Sequence, residues 1–192
     1  EDVVEESALQ ADLFYFTGYM WDTDNQKKSV LKTLKLFKDK GKKIAFDVAD
    51  PFAVGRYRQT FQELIADYCD IVFANSEEAR YLMDNYDPYE CCKSLGKLCP
   101  IAIVKNGKKG SFISNNRVIT QIPSYGTSIP VDTTGAGDTY ASGFLYGYLT
   151  GRDLVSSCNI ASYLAGEIIA RIGAQFDKDS IVKLKAFIDK NF

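Results

Sequence analysis

Short apolar segments alternate with amphipathic segments through the first half of the chain. Apolar runs of strand length are each followed by a stretch in which apolar residues recur at helical spacing. The predicted strands and helices are, in chain order, 13–17, 26–40, 44–48, 57–68, 71–74 and 76–84. This alternation predicts a parallel sheet whose strands are joined by helical crossovers.

The pattern changes in the second half of the chain. Turn-forming segments separate three short predicted strands, at 101–104, 111–114 and 118–122, which predicts hairpins at one side of the sheet. Later segments are helical only, with apolar positions along 141–149 and on two further faces. These faces comprise Leu154, Cys158, Ala161, Ala165, Ile168 and Ile172, and then Ile181, Leu184, Phe187 and Ile188. With no repeat or linker, residues 1–192 are predicted to form a single α/β domain, built as a sandwich.

Composition narrows the functional classes. The 192 residues carry a net charge of −2 with both signs interspersed, which indicates neither nucleic acid nor a membrane surface as a partner. The five cysteines and the absence of histidine disfavour a zinc site, a disulfide framework and any Ser-His-Asp mechanism. Because the N-terminal segment lacks a basic and apolar leader, we expect a reduced, cytoplasmic protein.

Residues 132–138, Asp-Thr-Thr-Gly-Ala-Gly-Asp, stand directly before a helical pattern. Backbone N–H groups at a helix start lack intrahelical partners and bind anions when side chains leave room, as Gly135, Ala136 and Gly137 do. Asp138 follows at once, where a carboxylate can take a proton from a hydroxyl that attacks a bound phosphate. The alternative interpretation is a glycine-rich turn before an ordinary capped helix.

The same segment, continued by Thr-Tyr-Ala-Ser-Gly-Phe over 139–144, closely resembles the C-terminal signature of ribokinase-like (PfkB) carbohydrate and nucleoside kinases. The resemblance implies a three-layer, Rossmann-like α/β sandwich with a mostly parallel sheet and an antiparallel hairpin region. It assigns an anion hole to Gly135, Ala136 and Gly137, and the catalytic base to Asp138. Asp132 and Thr134 match positions that hold a monovalent cation such as K⁺ in many members.

Residues 74–78, Ala-Asn-Ser-Glu-Glu, resemble the family's Asn-x-x-Glu motif. The match implies that Asn75 contacts the nucleotide and that Glu78 organises Mg²⁺ through water. Ligands of open α/β sheets bind beyond the carboxyl ends of strands, which is where this motif is predicted. The alternative is that Asn75 or Ser76 only caps a helix, and the two interpretations are compatible.

Two weaker matches extend the predicted site. Gly107 and Gly110 fit the family's nucleotide-side turn, although Lys105 and Asn106 replace the usual Thr-Leu and the segment also reads as a plain hairpin turn. Asn159 aligns with a nucleotide-side position in the penultimate helix, where a solvent-facing Asn is the alternative.

Residues 16–21 and 47–52 look most like bacterial adenosine-kinase-like and sugar kinases. By that resemblance Arg56 contacts the γ-phosphate, with Arg58 a weaker candidate, while two solvated surface arginines are the alternative.

The resemblance begins midway through the family's fold, so the chain looks like its C-terminal part without the N-terminal sugar grip and lid. It implies an ATP- and Mg²⁺-dependent kinase that phosphorylates a hydroxyl of a sugar or nucleoside of the adenosine, ribose or fructose class. The alternatives are a kinase of another small alcohol and a nucleotide-binding remnant without activity. A homodimer, or association with an N-terminal portion, is also expected.

A dinucleotide oxidoreductase is disfavoured because the glycine motif lacks its third glycine and comes late in the chain.

Overall fold

The computed structural model describes residues 4–126 and 129–192. Six strands form one sheet in chain order: β1 Leu13–Thr17, β2 Lys43–Asp47, β3 Ile71–Asn75, β4 Ile101–Lys105, β5 Ser111–Asn115 and β6 Val118–Ile122. Strands β1 to β4 pair in parallel. A two-residue turn, Asn116 and Arg117, both with positive φ, joins β5 to β6, and so short a connection makes them an antiparallel hairpin.

The helices of the described chain separate the parallel strands and make up most of its C-terminal part. They are α1 Glu5–Ala8, α2 Asp24–Asp39, α3 Pro51–Tyr68, α4 Ser76–Met83, α5 Pro88–Leu98, α6 Ala136–Leu149, α7 Leu154–Ile168 and α8 Lys178–Asn191. Short 3₁₀ turns occupy Gly18–Trp21 and Gly107–Lys109. None of the helices in the described ranges combines the length and apolar character that a membrane crossing needs.

Most predicted elements are confirmed, but helices α2 and α3 begin earlier than predicted, and helices α1 and α5 were not predicted. Helix α3 starts at Pro51, where the Asp50 side chain caps the N–H groups of Phe52 and Ala53, and its backbone kinks at Tyr57, the predicted start. Helix α6 begins at Ala136, inside the glycine loop that was expected to open it. Helix α5 escaped prediction because its buried face is made of two cysteines, one leucine and one glycine, a weak apolar signal.

One predicted face was wrong in part. Ile172 does not continue the buried face of α7, because that helix ends at Ile168, and Ile172 is 85% exposed in the loop that follows. Ile181 lies on α8 as predicted, yet it is 52% exposed while Leu184 and Ile188 are buried.

The chain divides into two compact units, and the division cuts through β5 and β6. The first unit is Glu1–Lys105 with Phe112–Ile119, and the second unit is Asn106–Ser111 with Thr120–Phe192. The prediction of a single domain stays a prediction.

Aromatic packing dominates the core of the first unit. The rings of Phe16 and Phe46 stack with centroids 4.6 Å apart, and Phe61 meets Phe46 edge-on at 5.2 Å. All three side chains are at most 1% exposed, so each contributes the full transfer free energy of a large apolar group.

Helices α6 and α7 pack closely in the second unit. A Cβ at Gly143 would lie 2.8 Å from the Cα of Ala161, and one at Gly147 would lie 2.8 Å from the Cα of Ser157. Two glycines one turn apart therefore let the two helix backbones approach closely.

Candidate active site

The loop over 132–138 forms the N-terminus of α6, with Gly135 as its N-cap at φ +75°. A Cβ on Gly135 would stand 2.6 Å from the Cβ of Ala174 and 3.0 Å from its Cα. Both the backbone conformation and the crowding require glycine here. The sequence motif indicated a small residue, but only the structure identifies Ala174 as the neighbour that requires it.

Two N–H groups at this helix start have no protein acceptor in the described part of the chain. Ala136 N donates to Thr133 O at 3.2 Å and Thr139 N to Gly135 O at 2.8 Å, which leaves the N–H groups of Gly137 and Asp138. The 14-residue helix α6 begins here, so the positive end of its dipole lies at this loop. The Asp138 side chain is exposed beside it. The arrangement fits an anion next to a carboxylate, and the predicted roles of Gly135, Ala136, Gly137 and Asp138 stay predictions.

Asp132 ties this loop to the segment after α7. One carboxylate oxygen accepts from Thr134 N at 2.9 Å and the other from Gly173 N at 3.0 Å. Hydrogen bonds from the Thr134 side chain, from Gly173 N and from Thr134 N lower the pKa of Asp132 to about 2. The structure thus places an ionised carboxylate and a hydroxyl together at Asp132 and Thr134, and their role in holding a monovalent cation stays a prediction.

The turn predicted on the nucleotide side has the glycine conformations that its sequence suggested. Gly107 and Gly110 adopt φ +55° and +86°, and Asn106 N donates to Gly110 O at 2.7 Å. Directly after the turn, the buried Ser111 hydroxyl lies 2.7 Å from the hydroxyl of Tyr140 on α6. This link between the turn and the helix was not found from the sequence, because its partners are 29 residues apart.

In the first unit, polar side chains gather at the carboxyl ends of β2, β3 and β4. Lys105 Nζ lies 3.2 Å from Asp47 Oδ2, and the two side chains are 14% and 3% exposed. The pairing gives the largely buried lysine a counter-charge. Sequence reasoning noted Lys105 only as a departure, although strand ends that meet at one sheet edge could have suggested Asp47 as its partner.

Asn75 and Glu78 form a complete capping box at the start of α4. The Asn75 side chain accepts from Glu77 N and Glu78 N at 2.9 Å each, while Glu78 accepts from Asn75 N at 2.7 Å and from Asn75 Nδ2 at 2.5 Å. The capping interpretation is therefore present in the molecule. The nucleotide and metal roles of this pair stay predictions.

The side chains of Asn75 and Glu78 do not form a direct metal site. Both Glu78 oxygens already accept from Asn75, and no group of three or more His, Cys, Asp or Glu suited to a metal occurs in the described residues. They fit a Mg²⁺ ion that keeps its waters and arrives on nucleotide phosphates, which is how this ion usually binds.

Burial raises the pKa of Glu78 from 4.5 to about 7, although Lys105 and the Asn75 N–H partly offset the effect. The folded protein holds this proton more tightly than the unfolded chain. The free energy of unfolding should therefore fall as pH rises from about 4.5 to about 7.

Glu78→Gln should remove this pH dependence. Between about pH 4.5 and pH 7, we expect the free energy of unfolding of wild type to fall by about 2 to 3 kcal/mol relative to that of the variant, because only the glutamate must ionise while buried. This figure follows from about 1.4 kcal/mol per pKa unit. Urea unfolding of both proteins at several pH values measures the difference. Stability curves that run parallel with pH would contradict the assignment.

Arg56 and Asn159 are not drawn into either cluster. Arg56 is exposed, and its Nη2 lies 2.7 Å from Asp22 Oδ1, a surface pair that agrees with the solvated alternative. Asn159 is half-buried on α7. Their proposed contacts with a nucleotide stay predictions.

Comparison with known proteins points in one direction. The family model described as pfkB family carbohydrate kinase matches residues 1–181. The crystal structure of adenosine kinase from Sinorhizobium meliloti superposes with a TM-score of 0.89 at 33% identity, covering 96% of this chain and 57% of that one. This superposition confirms the predicted ribokinase-like, three-layer α/β fold class.

Two curated relatives are kinases of other compounds. The 2-dehydro-3-deoxygluconokinase of Haemophilus influenzae is 29% identical over 92% of this chain, and the 5-dehydro-2-deoxygluconokinase of Halalkalibacterium halodurans is 26% identical over 100%. The chain spans 59% and 60% of their lengths.

Proposed function

Because this chain belongs to the pfkB family of carbohydrate kinases, we propose that it carries the phosphate-binding loop and catalytic base of an ATP-dependent kinase. The acceptor would be a hydroxyl of a sugar or nucleoside. The family match confirms the resemblance first seen over 132–144. The start of α6 is the observation that carries the proposal. Gly135 has positive φ there, and the next residues supply two N–H groups without protein acceptors in the described chain and the exposed Asp138 side chain.

Each part of this loop has a task in phosphoryl transfer. Asp138 accepts the proton of the attacking hydroxyl, and general-base assistance of this kind contributes roughly 10²- to 10⁴-fold. The N–H groups of Gly137 and Asp138 stabilise negative charge that develops on the transferred phosphoryl oxygens, helped by the dipole of α6. Gly135 holds these donors in position, since phosphoryl transfer depends on placement more than on covalent chemistry.

The remaining predicted residues serve the nucleotide and its ions in this proposal. Gly107, Gly110 and Asn159 lie along the nucleotide, and Arg56 reaches its terminal phosphate. Mg²⁺ neutralises phosphate charge, with its waters held by Asn75 and Glu78. Asp132 and Thr134 hold K⁺ beside the loop. The position of the Asp132 carboxylate, which joins the loop to the segment after α7, is compatible with the last assignment.

The acceptor is proposed only as a class. The named relatives phosphorylate a nucleoside in one case and sugar acids in two others, and each is longer than this chain. We therefore propose adenosine, ribose, fructose and the two deoxygluconates as the acceptors to test, and a kinase of another small alcohol as the alternative.

Calorimetric titration and phosphorus NMR test the proposal in sequence. We expect the chain to bind ATP–Mg²⁺ weakly, in a manner that needs the phosphates, so that adenosine without phosphates gives no heat of binding at the same concentrations. Incubation with ATP, Mg²⁺ and each acceptor should give little phosphate ester with this chain and robust ester formation once the remainder of the kinase fold is supplied. Failure of ATP–Mg²⁺ to bind would contradict the nucleotide site.

A nucleotide-binding module without catalysis is the second candidate. ATP binding without ester formation from any acceptor, even with the remainder of the fold present, would support it over the kinase.

A further inference from the structure

Two of the five cysteines lie at equivalent places in the first unit, ahead of neighbouring strands. Cys69 ends α3 and Cys99 ends α5, and each is a C-cap residue with extended backbone. Ile71 of β3 pairs in register with Ile101 of β4, and Ile101 N donates to Asp70 O at 3.1 Å. Each cysteine therefore lies two residues ahead of the same registered pair.

The placement of the two cysteines suits a disulfide bond. Neighbouring strands run about 4.8 Å apart, and disulfides join residues whose Cα atoms are about 4.4 to 6.8 Å apart. Side chains two positions apart in extended backbone share a face, so Cys69 and Cys99 point to one side of the sheet. The Cys99 thiol donates to Cys69 O at 3.3 Å, and both residues are free thiols in this structure.

A cavity of about 370 Å³ at this end of the sheet gives access to one of the two thiols. Cys69 lines the cavity together with Lys38 and Tyr68, whereas Cys99 does not. Cys69 is 7% exposed, the most of the five cysteines, and Cys99 is 2% exposed. A small reagent can therefore reach Cys69, while Cys99 stays behind it.

Burial makes both thiols slow to ionise. Burial, the neighbouring Cys99 thiol and Asp70 raise the pKa of Cys69, and the positive charge of Lys38 offsets part of this effect. Burial also raises the pKa of Cys99, to about 12. Because the thiolate is the reactive form, oxidation should need sustained exposure to an oxidant. Cys69 should react first, since it has the cavity and Lys38 beside it.

We propose that Cys69 and Cys99 form a peroxide-sensitive pair that closes a reversible disulfide between the amino ends of β3 and β4. Neither thiol takes part in the proposed phosphoryl transfer. The same two strands carry Asn75 and Lys105 at their carboxyl ends, where these residues pair in register. The crosslink therefore constrains the two strands that hold this polar cluster.

The oxidation proceeds in two balanced steps. The Cys69 thiolate attacks one oxygen of hydrogen peroxide, the O–O bond breaks, and the departing hydroxide takes up the proton that Cys69 lost. Cys69 is then a sulfenic acid. The Cys99 sulfur attacks the Cys69 sulfur, the S–O bond breaks, and the hydroxyl leaves as water with the Cys99 proton. Two thiols and one peroxide thus give one disulfide and two waters.

The disulfide should be easy to reduce again. A relaxed disulfide holds its Cβ atoms about 3.8 Å apart, so the two strand ends must move closer than the usual strand spacing of about 4.8 Å. Strained disulfides are the labile ones, which open when a dithiol reductant is present.

Counting thiols after peroxide treatment tests the proposal. The chain is incubated with hydrogen peroxide, the excess is destroyed with catalase, and the remaining thiols are counted in denaturant. The count should fall from five to three, and dithiothreitol should restore it to five. A proteolytic digest without reductant should contain the peptides of Cys69 and Cys99 joined to each other.

Three single variants assign the two steps. In the Cys69→Ser variant, all four remaining thiols should persist. The Cys99→Ser variant should stop at the sulfenic acid on Cys69, which a cyclic 1,3-dione traps. The Cys91→Ser variant is the matched control, since its hydroxyl can still donate to Asn85 O as the thiol does at 3.1 Å, and it should close the disulfide as wild type does. Thermal melting shows whether each variant folds, and an alanine replaces any serine that prevents folding.

Four outcomes would overturn the proposal. A count that stays at five, under conditions that oxidise the urea-unfolded chain, would show that peroxide does not reach the pair. A disulfide between Cys91 and Cys92, or between two copies of the chain, would assign the oxidation elsewhere. Sulfinic acid on Cys69 without a crosslink would show that Cys99 does not reach it. A crosslink that forms equally in the Cys99→Ser variant would exclude Cys99 as the partner.

Discussion

Asp138→Asn should lower kcat by about 10²- to 10⁴-fold in an active kinase that contains this chain, while the affinity for ATP–Mg²⁺ changes little. An amide cannot accept the proton of the attacking hydroxyl, although it keeps the size and position of the carboxylate. The loss corresponds to roughly 3 to 5 kcal/mol of transition-state stabilisation. Steady-state kinetics and calorimetric titration on the same preparation measure the two quantities.

Asp179→Asn provides a matched control for helix electrostatics. Asp179 lies in the first turn of α8 as Asp138 lies in the first turn of α6, and both side chains are exposed. Each variant should lose only about 0.3 to 1 kcal/mol of stability from the weaker interaction with the helix dipole. If Asp138→Asn keeps normal turnover and behaves like Asp179→Asn, Asp138 is structural and the base lies elsewhere.

Gly135→Ala should weaken ATP–Mg²⁺ binding at least about tenfold, because the loop amides must move to relieve the new side chain. The alanine would have to adopt φ +75° and would place its Cβ 2.6 Å from the Cβ of Ala174. We also expect a loss of about 2 to 4 kcal/mol in stability, from backbone strain and overpacking together. ATP titration and urea unfolding separate the two effects.

Gly151→Ala measures the contribution of backbone strain without overpacking. Gly151 has φ +82°, and nothing lies within 4 Å of an added Cβ. The variant should lose about 1 to 2 kcal/mol of stability with unchanged ATP affinity. Adding Ala174→Gly to Gly135→Ala should recover part of the binding. A folded Gly135→Ala protein with wild-type ATP affinity would contradict the assignment of this loop to the phosphates.

Local patterns in the sequence were sufficient for most of the secondary structure. The bounds of β1 and β6 were predicted to the residue, since apolar runs between turn-forming residues carry that information. The predicted helix starts were less accurate than the predicted strand bounds. The start of α3 depends on one hydrogen-bonded cap at Asp50 and on a kink that divides the helical pattern, and α5 buries small residues with little apolar signal.

The candidate site was visible in the sequence to the extent that it is contiguous. Residues 132–138 are adjacent in the chain, and Asn75 and Glu78 of the capping box are only three positions apart, so short-range spacing identified both. The pairing of Lys105 with Asp47 joins positions 58 residues apart, and that of Ser111 with Tyr140 joins positions 29 apart. Spacing along one chain does not encode which distant groups meet.

For this protein, then, the chain sequence alone determined the order of strands and helices and the glycine loop before α6, and it supplied the prediction of which residues bind phosphate or accept a proton. These follow from periodicity and from the backbone freedom of glycine, which are local properties. The tertiary structure decided that Ala174 crowds Gly135, that Glu78 is buried with a pKa of about 7, and that an apolar groove borders Asp138. Each of these depends on which segments pack together, because steric contact, desolvation and cavities exist only once distant parts of the chain meet.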